Sequence, residues 1–400
     1  MKPKISIIEV ARLAGVSKST VSRVVSDRGG SVSPKALDAV NEAIRELGYT
    51  RNTIAAGLRT QRTHSVLVMV PDIANPFWSE IARAIQDRLE EEDYSVVVGN
   101  TDWSEQREAR YYELARSGRF DGLILNSVTD DIPAIADIGL PAVMIGERAL
   151  SQEIDTTGTD TRAATRLALE YLWETGHRRI AIATTEQGSE RFLSLRRKTY
   201  EDFLTERGLV HDESLAFSVK LSEEGGRELV RELFALPRWR ERVDSILCGN
   251  DILAISAINS LREAGVEPGR EVSLIGMDDI PAAGHTFPAL TTVRKPRSLI
   301  GCTAAELLLA RLEEPDRPVA RRLFPGELVV RGSVAIRDGI ADSDGGLARG
   351  SATHSGDVTH SDDATHSDGL TRSDGGLARG SVTHSGDVTH RDGTFSKGGG

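Results

Sequence analysis

Short apolar runs rich in valine and isoleucine recur along the middle of the chain, between residues 65 and about 335. Helical stretches of roughly ten or more residues separate most of them, and this alternation is typical of βαβ units, whose parallel strands are buried on both faces. The length of the segment suits two such sheets, so we predict an α/β body with two lobes. The predicted strands are Val66–Val70, Ser95–Val98, Leu123–Leu125, Ala142–Ile145, Ile180–Ala183, Ser245–Cys248 and Val272–Ile275.

Three short helices are predicted before the α/β segment, between residues 6 and 48. The middle helix carries Val21, Val24 and Val25 at the i, i+3, i+4 spacing of one apolar face. Turn and cap signals bound all three helices. These signals are the Ser6–Glu9 capping box, a stop at Gly15, an N-cap at Ser17, the Ser33-Pro34 start and a stop at Gly48.

Two helices joined by a tight glycine turn, with a polar outer face on the second, form a helix-turn-helix pattern. In such a motif the start of the second helix enters the major groove of DNA. There Lys and Arg reach guanine acceptors, and Ser or Thr reaches bases or phosphates. The plainer alternative is a helical hairpin with a solvated face. The predicted DNA-contacting residues on this helix are Lys18, Ser19, Thr20, Ser22 and Arg23.

Charge is distributed unevenly between the first 62 residues and the rest of the chain. The whole chain carries −11, but residues 1–62 hold eleven Lys and Arg against five Asp and Glu, a net charge of +6, which leaves −17 for the remainder. A small basic module on an acidic body is the pattern expected of a DNA-binding headpiece, because that module would meet the phosphates. A merely basic surface is the alternative that charge alone leaves open.

Composition disfavours several other classes of protein. No apolar run approaches the roughly 18 residues of a membrane span, and the first residues lack the apolar core of a signal peptide. The two cysteines, Cys248 and Cys302, have no metal-ligand spacing, which fits a reducing cytosol. No nucleophile elbow, P-loop or HExxH pattern is present, and the adjacent acids Asp278 and Asp279 would point apart. We therefore predict a cytoplasmic protein that is not an enzyme and needs no cofactor or metal.

The composition changes at about residue 337 to Ser, Asp, Gly, Thr and His. The segment 343–360 recurs at 373–390 with a single difference, Ala352 against Val382. Because a segment this polar cannot bury a core, residues 337–400 are predicted to form a disordered, low-complexity tail. Histidines recur in the tail at His354, His360 and His366, and a solvated repeat is favoured there over a metal-binding one.

The N-terminal motif is more specific than its general pattern. Residues 10–25, with the sequence VARLAGVSKSTVSRVV, closely resemble the headpiece of the lactose-repressor (LacI/GalR) family, as do residues 47–49 and 52–59. The resemblance continues through the body with the motifs in the family's order, and it covers residues 5 to about 335. The body motifs lie at residues 71–77, 176–180, 249–251, 272–279, 290–293 and 330–333.

This resemblance implies four parts and two macromolecular partners. The parts are a helix-turn-helix headpiece (1–50), a hinge helix or linker (51–63), an effector-binding and dimerisation body (64–336) and the tail (337–400). The partners are a pseudo-palindromic DNA operator and a second copy of the chain. In the family, a hinge leucine from each subunit wedges into the minor groove. Leu58 is the matching residue, Asn52 is expected to contact DNA beside it, and a plain linker leucine is the alternative.

The body should bind a small molecule where strand C-termini meet helix N-termini. Family members use matching Arg, Asn and Asp residues to hold sugar hydroxyls or a purine. Carboxylate, amide and guanidinium groups suit bidentate hydrogen bonds to a polyol, and an indole can stack on its apolar face. For each residue singly, a structural cap or an ion pair is the alternative. The predicted effector-binding residues are Asp72, Phe77, Trp78, Arg196, Asn250 and Asp278.

The chain departs from the usual family pattern near this predicted site. Glu147 follows Gly146 where many members carry Asp, Met277 and Leu221 stand at positions that are often aromatic, and Thr199 stands where Gly is usual. A repressor with a sugar effector is the first interpretation. A nucleoside, another polar metabolite or a protein co-regulator stays open as the controlling partner. A transport-type sugar-binding protein is disfavoured, because it would need a signal peptide and no headpiece.

Overall fold

The computed structural model describes residues 5–25, 32–49, 62–129, 132–146, 154–185 and 190–337. The predicted hinge, apart from its last two residues, and the predicted tail from residue 338 onwards lie outside these ranges. No helix within them is long and apolar enough to cross a membrane. Both cysteines are free, with Cys248 buried and Cys302 partly exposed.

Three helices open the chain: α1 (Ile7–Ala14), α2 (Lys18–Val25) and α3 (Pro34–Leu47). The cap signals predicted for them are confirmed. The capping box and the Gly15 stop bound α1, the hydroxyl of Ser17 accepts a backbone N–H at the start of α2, and Ser33 and Gly48 bound α3. The three helices share one core, to which each contributes a fully buried valine. These are Val10, Val21 and Val40.

Twelve strands and nine further helices follow in the described ranges. The strands are β1 (Ser65–Val70), β2 (Ser95–Asn100), β3 (Gly122–Leu125), β4 (Ala142–Ile145), β5 (Asp155–Thr159), β6 (Ile180–Thr184), β7 (Ala216–Ser218), β8 (Ser245–Cys248), β9 (Ser273–Asp278), β10 (Thr291–Arg294), β11 (Arg321–Phe324) and β12 (Glu327–Val329). The helices are α4 (Pro76–Glu90), α5 (Glu105–Arg116), α6 (Ile132–Ala136), α7 (Thr161–Glu174), α8 (Glu190–Glu206), α9 (Glu223–Ala235), α10 (Trp239–Arg242), α11 (Asp251–Glu263) and α12 (Arg297–Glu313).

The strands form two six-stranded sheets, one in each lobe. The first has the order β11-β5-β4-β3-β1-β2 with all neighbours parallel. The second has the order β12-β10-β9-β8-β6-β7 and is parallel except for the β10–β12 pair. In β1, Val66 and Val68 pack with α4 and α12, while Leu67 and Met69 pack with α5 on the other face. Burial on both faces explains why the strand is apolar throughout.

The chain passes between the lobes three times. It leaves the first sheet after β5 and enters α7, which packs on the second sheet; it returns after β10 into α12; and it crosses again between β11 and β12. Helix α12 packs closely against α4. A Cβ at Gly301 would lie 2.7 Å from the Ala84 Cβ and 2.7 Å from the Ile81 carbonyl, so this crossing needs a residue without a side chain.

All seven predicted strands are confirmed, with ends that shift by at most three residues. The parallel two-lobed α/β class is also confirmed. Strand β5 was missed because its sequence, Asp-Thr-Thr-Gly-Thr, has no apolar periodicity, although every residue in it is buried. Its Asp155 is held by two hydrogen bonds from Arg311 at 3.0 Å, which makes burial of the acid tolerable. Four further strands were not predicted: the short strands β7 and β12, the partly exposed strand β11, and β10.

Candidate functional sites

Helix α2 turns its valine face inward and its polar face to solvent. Val21 is fully buried, whereas Lys18, Ser19 and Arg23 are exposed. Two more of the predicted DNA-contacting residues, Thr20 and Ser22, are half-buried. The helix therefore offers two basic side chains and a hydroxyl on one accessible surface, which is the chemistry that reads the major groove.

The hydroxyls at the start of α2 hydrogen-bond to one another. Ser17 Oγ lies 2.7 Å from Ser19 Oγ and 2.8 Å from Thr20 Oγ1. To contact a phosphate or base, Ser19 or Thr20 would have to exchange or share its hydrogen bond with Ser17. Asn52 and Leu58, the other two residues predicted to contact DNA, lie outside the described residues.

A cavity lies between the two sheets of the body, at the carboxyl ends of their parallel strands. It leaves about 130 Å³ in which the centre of a water molecule can lie. Each of the strands β1 to β10 contributes a wall residue from its last residues or from the segment that follows it. This is the edge at which open parallel sheets bind ligands, because helix N-termini and loops converge there.

The structure brings all six residues predicted to bind the effector into the wall of this cavity. The first lobe supplies Asp72, Phe77 and Trp78, and the second lobe supplies Arg196, Asn250 and Asp278. The two aromatic residues are each only 8% exposed and pack edge to face, with ring centroids 4.9 Å apart. They belong to the core of the first lobe as much as to the cavity.

Arg196 reaches the cavity from α8 with part of its donor capacity unused. Its Nη1 donates to the Gly249 carbonyl at 3.1 Å, and its buried Nε has no hydrogen-bond partner in the described residues. Burial lowers the pKa of this guanidinium and the Asp278 carboxylate raises it. The side chain of arginine is not deprotonated in proteins, so the group stays charged. An unpaired buried donor is costly, so the Nε is poised to bind a ligand oxygen.

Gly249 allows this close approach of Arg196. A Cβ at that position would lie 3.2 Å from Arg196 Nη1 and 2.6 Å from Leu221 Cδ2. The absence of a side chain at Gly249 therefore leaves space for the Arg196 guanidinium and for the Leu221 side chain, and both of these groups line the cavity.

Asp278 forms a buried ion pair with Lys295 in the cavity wall. Lys295 Nζ lies 2.8 Å from Asp278 Oδ1, and the two side chains are 14% and 4% exposed. Burial raises the pKa of Asp278, and Lys295, Arg196 and Arg297 oppose that change. The same Nζ lies 4.9 Å from the centroid of the Phe77 ring, a distance at which a cation is attracted to an aromatic face. The sequence left open that Asp278 forms a structural ion pair, and the structure shows such a pair, with Lys295 as the partner.

The backbone that presents Asp278 is strained. Asp278 has φ of 138° and Asp279 has φ of 54°, a region that side chains other than glycine rarely adopt. Arg297 Nη1 donates to the carbonyls of Asp278 and Asp279 at 2.6 and 2.9 Å, and its Nε donates to Glu80 at 2.6 Å. Because Glu80 lies on α4, one guanidinium joins this turn of the second lobe to the first lobe.

The two acids of the turn point apart, as predicted. Asp279 accepts hydrogen bonds from Arg294 at 2.7 Å and from Arg331 at 2.6 Å, on the side away from the Lys295 pair. Burial raises the pKa of Asp279, but the two arginines outweigh it and hold that pKa below its usual range. The pair is therefore not a carboxylate dyad that shares a proton.

Asp251 supports the turn from behind. Its Oδ2 accepts the N–H of Ile280 at 2.9 Å and its Oδ1 accepts the hydroxyl of Thr292 at 2.5 Å. Burial and the neighbouring Asp278 charge raise the pKa of Asp251 to about 7. A group in contact with the turn thus changes its charge near neutral pH.

Two of the predicted residues use their side chains for local structure. Asn250 caps α11: its Oδ1 accepts the N–H of Leu253 at 2.9 Å, and its Nδ2 donates to the Leu221 carbonyl at 3.1 Å. Asp72 Oδ1 accepts the N–H of Ala74 at 3.0 Å. Asn250 is therefore a helix cap, the structural role that the sequence left open for it. Both side chains still line the cavity.

Several polar or aromatic wall residues were missed from the sequence. Trp103 and Asn126 follow β2 and β3, which were predicted, so the rule that ligands bind at strand ends could have found them, whereas Lys295 follows β10, which was not predicted. Strand β5, which had no apolar signal, contains one missed threonine, and helix α7 contains two. Asn75 was expected beside Asp72 and lines the cavity; the missed residues are Trp103, Asn126, Thr159, Thr161, Thr165 and Lys295.

A helix-turn-helix module followed by a two-lobed body with a polar cavity defines a class of DNA-binding transcriptional regulators. The family model "Bacterial regulatory proteins, lacI family" matches residues 6–52, and the model "Periplasmic binding protein-like domain" matches residues 169–334. The regulator DegA of Bacillus subtilis is 31% identical over 337 residues, which cover 82% of this chain and 98% of DegA. The ribose operon repressor of Escherichia coli is 30% identical over 329 residues, covering 81% and 98%. The chain belongs to the lacI family of bacterial regulatory proteins.

Solved structures agree with this assignment. A lac repressor dimer bound to operator and the anti-inducer ONPF matches with a TM-score of 0.72 and 27% identity, over 83% of this chain and 100% of that one. A complex of the transcriptional regulator CelR with cellobiose matches with a TM-score of 0.61 and 29% identity, over 82% and 99%.

Proposed function

We propose that the protein is a repressor that binds a pseudo-palindromic operator as a homodimer and changes its operator affinity when a small sugar occupies the cavity. The observation that carries the sugar assignment is the convergence of Arg196, Asp278 and aromatic side chains on one cavity. Guanidinium and carboxylate groups suit vicinal hydroxyls, and aromatic residues suit the C–H face of a sugar ring.

The DNA-binding part of the proposal assigns base or phosphate contacts to α2. Lys18, Ser19 and Arg23 are exposed there and can reach the major groove without a change in the helix core. Thr20 and Ser22 would contact the backbone or base edges beside them. Asn52 and Leu58 are assigned to the hinge on the resemblance alone, with Leu58 as a minor-groove wedge.

Relatives support a sugar in the cavity. The Escherichia coli relative is named a ribose operon repressor. A lacI-family regulator of Enterococcus faecium, solved with bound ribose, matches with a TM-score of 0.60 and 28% identity. The lac repressor was solved as a dimer on its operator. The sugar, the dimer and the repression belong to those proteins, and we propose them for this chain.

The proposal keeps the four-part division of the chain. Residues 1–50 read DNA, 51–63 form the hinge, 64–336 bind the effector and dimerise, and 337–400 form a tail outside both roles. Such a protein works in the cytoplasm, where its operator is, and catalyses no reaction.

The test couples ligand binding to DNA binding in one preparation. Full-length protein is screened by thermal shift against sugars, including ribose and cellobiose, and a sugar that binds the folded state raises the melting temperature. Operator affinity is then measured by fluorescence anisotropy with and without that sugar, on a site obtained by binding-site selection. We expect affinity to change about 5- to 150-fold, the usual range for coupled sites.

Arg196→Ala should abolish the thermal shift and the change in operator affinity, while the affinity without sugar stays near wild type. Arg197→Ala is the matched control: this neighbour pairs with Glu201 and Glu213 and is not part of the cavity wall. A loss of ligand-free operator affinity in the Arg196 variant alone would show a structural role instead. A response to a nucleoside and to no sugar would replace the sugar assignment.

A further inference from the structure

The aromatic side chains of the cavity wall come from the first lobe, among the residues that the structure describes. Phe77 and Trp78 follow β1, and Trp103 follows β2. The second lobe supplies the charged residues Arg196 and Asp278 to the opposite wall. A ligand held between the lobes therefore meets rings on one side and ionised groups on the other.

Two of these three aromatic residues already have partners. Phe77 and Trp78 are 8% exposed and pack edge to face, and the Phe77 ring also faces the ammonium group of Lys295 at 4.9 Å. Both rings belong to the apolar core beneath the cavity. Little of either ring remains for a ligand to cover.

Trp103 differs from Phe77 and Trp78 in its exposure and in its contacts. It is half-buried in the cavity wall, and its indole has no hydrogen bond, ring contact or cation contact with any described residue. A large apolar ring with a free N–H donor is normally paired when it is partly buried. The ring therefore offers a face and a donor to whatever occupies the cavity.

The turn that carries Trp103 is held in a strained conformation. Asp102 and Trp103 have φ of 48° and 56°, and neither is a glycine. Asn100 Nδ2 donates to the Asp102 carboxylate at 2.5 Å, Arg107 pairs with the same carboxylate, and Ser104 caps α5 directly afterwards. Strained residues cluster at functional sites, and the hydrogen bonds to Asp102 hold the backbone from which the Trp103 side chain extends.

We propose that Trp103 is the stacking residue of the effector site and that it selects a sugar in its ring form. In that arrangement the apolar C–H face of a pyranose lies on the Trp103 indole, and the hydroxyls at its edge reach Arg196 and Asp278 in the second lobe. A ring sugar has both an apolar face and a polar edge, whereas the open-chain polyol with the same carbon skeleton has no such face. This inference rests on the proposed sugar effector and makes it more specific.

The experiment compares each sugar with its own reduction product. Full-length protein is titrated with D-glucose, D-galactose and D-xylose and, in parallel, with sorbitol, galactitol and xylitol, by calorimetry and by indole fluorescence. Uridine, which joins a planar base to a ribose, is included to represent the nucleoside class of effector. The variants are Trp103→Ala, Trp103→Phe and the control Trp173→Phe, whose ring packs on Arg178 and Phe203 and is not part of the cavity wall.

We expect at least one aldose to bind wild-type protein at least tenfold more tightly than its alditol. Trp103→Ala should weaken that binding at least tenfold and remove the preference for the ring form, while Trp103→Phe should weaken it less than threefold. The fluorescence change on binding should be smaller in Trp103→Phe than in wild type, with Trp78 as the remaining indole of the wall, and should persist unchanged in Trp173→Phe. Operator affinity without ligand should match wild type in the control Trp173→Phe.

Wild-type affinity in Trp103→Ala, with the sugar response intact, overturns this inference and leaves the proposed function standing. Failure of every sugar to bind wild-type protein overturns the proposed function and this inference with it. Binding of uridine in place of the aldoses overturns the ring-sugar assignment. If Trp103→Ala does not fold, the comparison of wild type with Trp103→Phe decides, because a fluorescence change of the same size in both proteins would show that Trp103 does not contribute to it.

Discussion

Removing one charge of the buried Asp278–Lys295 pair should destabilise the protein more than removing both. At 2.8 Å and an effective dielectric constant of about 20, Coulomb's law gives an attraction of roughly 6 kcal/mol, which the cost of burying the charges partly offsets. Breaking a buried pair by losing one partner costs about 3–5 kcal/mol, because the other charge is left without a counter-ion. The Lys295 side chain is 14% exposed, so we expect the cost of breaking the pair to lie at the lower end of that range.

We therefore expect Asp278→Asn to lower the free energy of unfolding by about 3 kcal/mol and Lys295→Met by about 2 kcal/mol. The smaller loss for Lys295→Met reflects Arg196 and Arg297, which still face Asp278. The double variant should lose only about 1–2 kcal/mol, because neither member of the pair is left buried without the other.

Urea denaturation of the four proteins at pH 7, followed by circular dichroism, measures this coupling as a double-mutant cycle. The exposed Arg240–Glu271 pair is the control, with side chains 60% and 35% exposed, and its coupling should stay below about 1 kcal/mol. If the two single losses simply add in the double variant of the buried pair, within about 0.5 kcal/mol, the reasoning is wrong.

Arg23→Ala should weaken binding to the specific operator by about 1–3 kcal/mol and relax discrimination at one base position. Binding-site selection measures this, and an unchanged preference would contradict the assignment of α2. Between pH 4 and 7 the free energy of unfolding should fall as the pH rises, because the raised pKa of Asp251, about 7, lets the folded protein keep a proton that the unfolded chain has lost. Asp251→Asn should flatten that slope in denaturation experiments, and an unaltered slope argues against it. Truncation after Arg337 should leave the melting temperature and operator affinity unchanged, because the residues beyond it lack apolar periodicity; a drop in either would show that the tail docks.

The helices and most of the sheets could be predicted because their signals are local. A capping box such as Ser6–Glu9 or a valine run such as β1 needs no knowledge of the rest of the chain. Strand β5 could not be predicted in this way. It is polar and yet buried, because Asp155 is neutralised by Arg311 from a helix more than 150 residues further along the chain.

The effector site was predictable as a place but not as a set of bonds. The rule that parallel sheets bind ligands at strand ends located all six predicted residues in one cavity. It could not tell which side chains have a free group. Asn250 is occupied as a helix cap, Asp278 is paired with Lys295, and Trp103 is free, and each of these outcomes depends on a neighbour that is distant in sequence or on an unusual backbone angle.

The route of the chain between the lobes has a consequence for biosynthesis. The first five strands of the first sheet are complete at Thr159, but α12, which fills one side of that lobe's core, begins only at Arg297. At about 5–20 residues per second, a ribosome needs on the order of ten seconds or more to make the intervening segment. The edge strands β11 and β12, one for each sheet, arrive last and only two residues apart. Neither lobe can therefore finish folding before nearly the whole body has been synthesised, and a chain that stops short of Arg321 leaves both sheets with an unpaired edge.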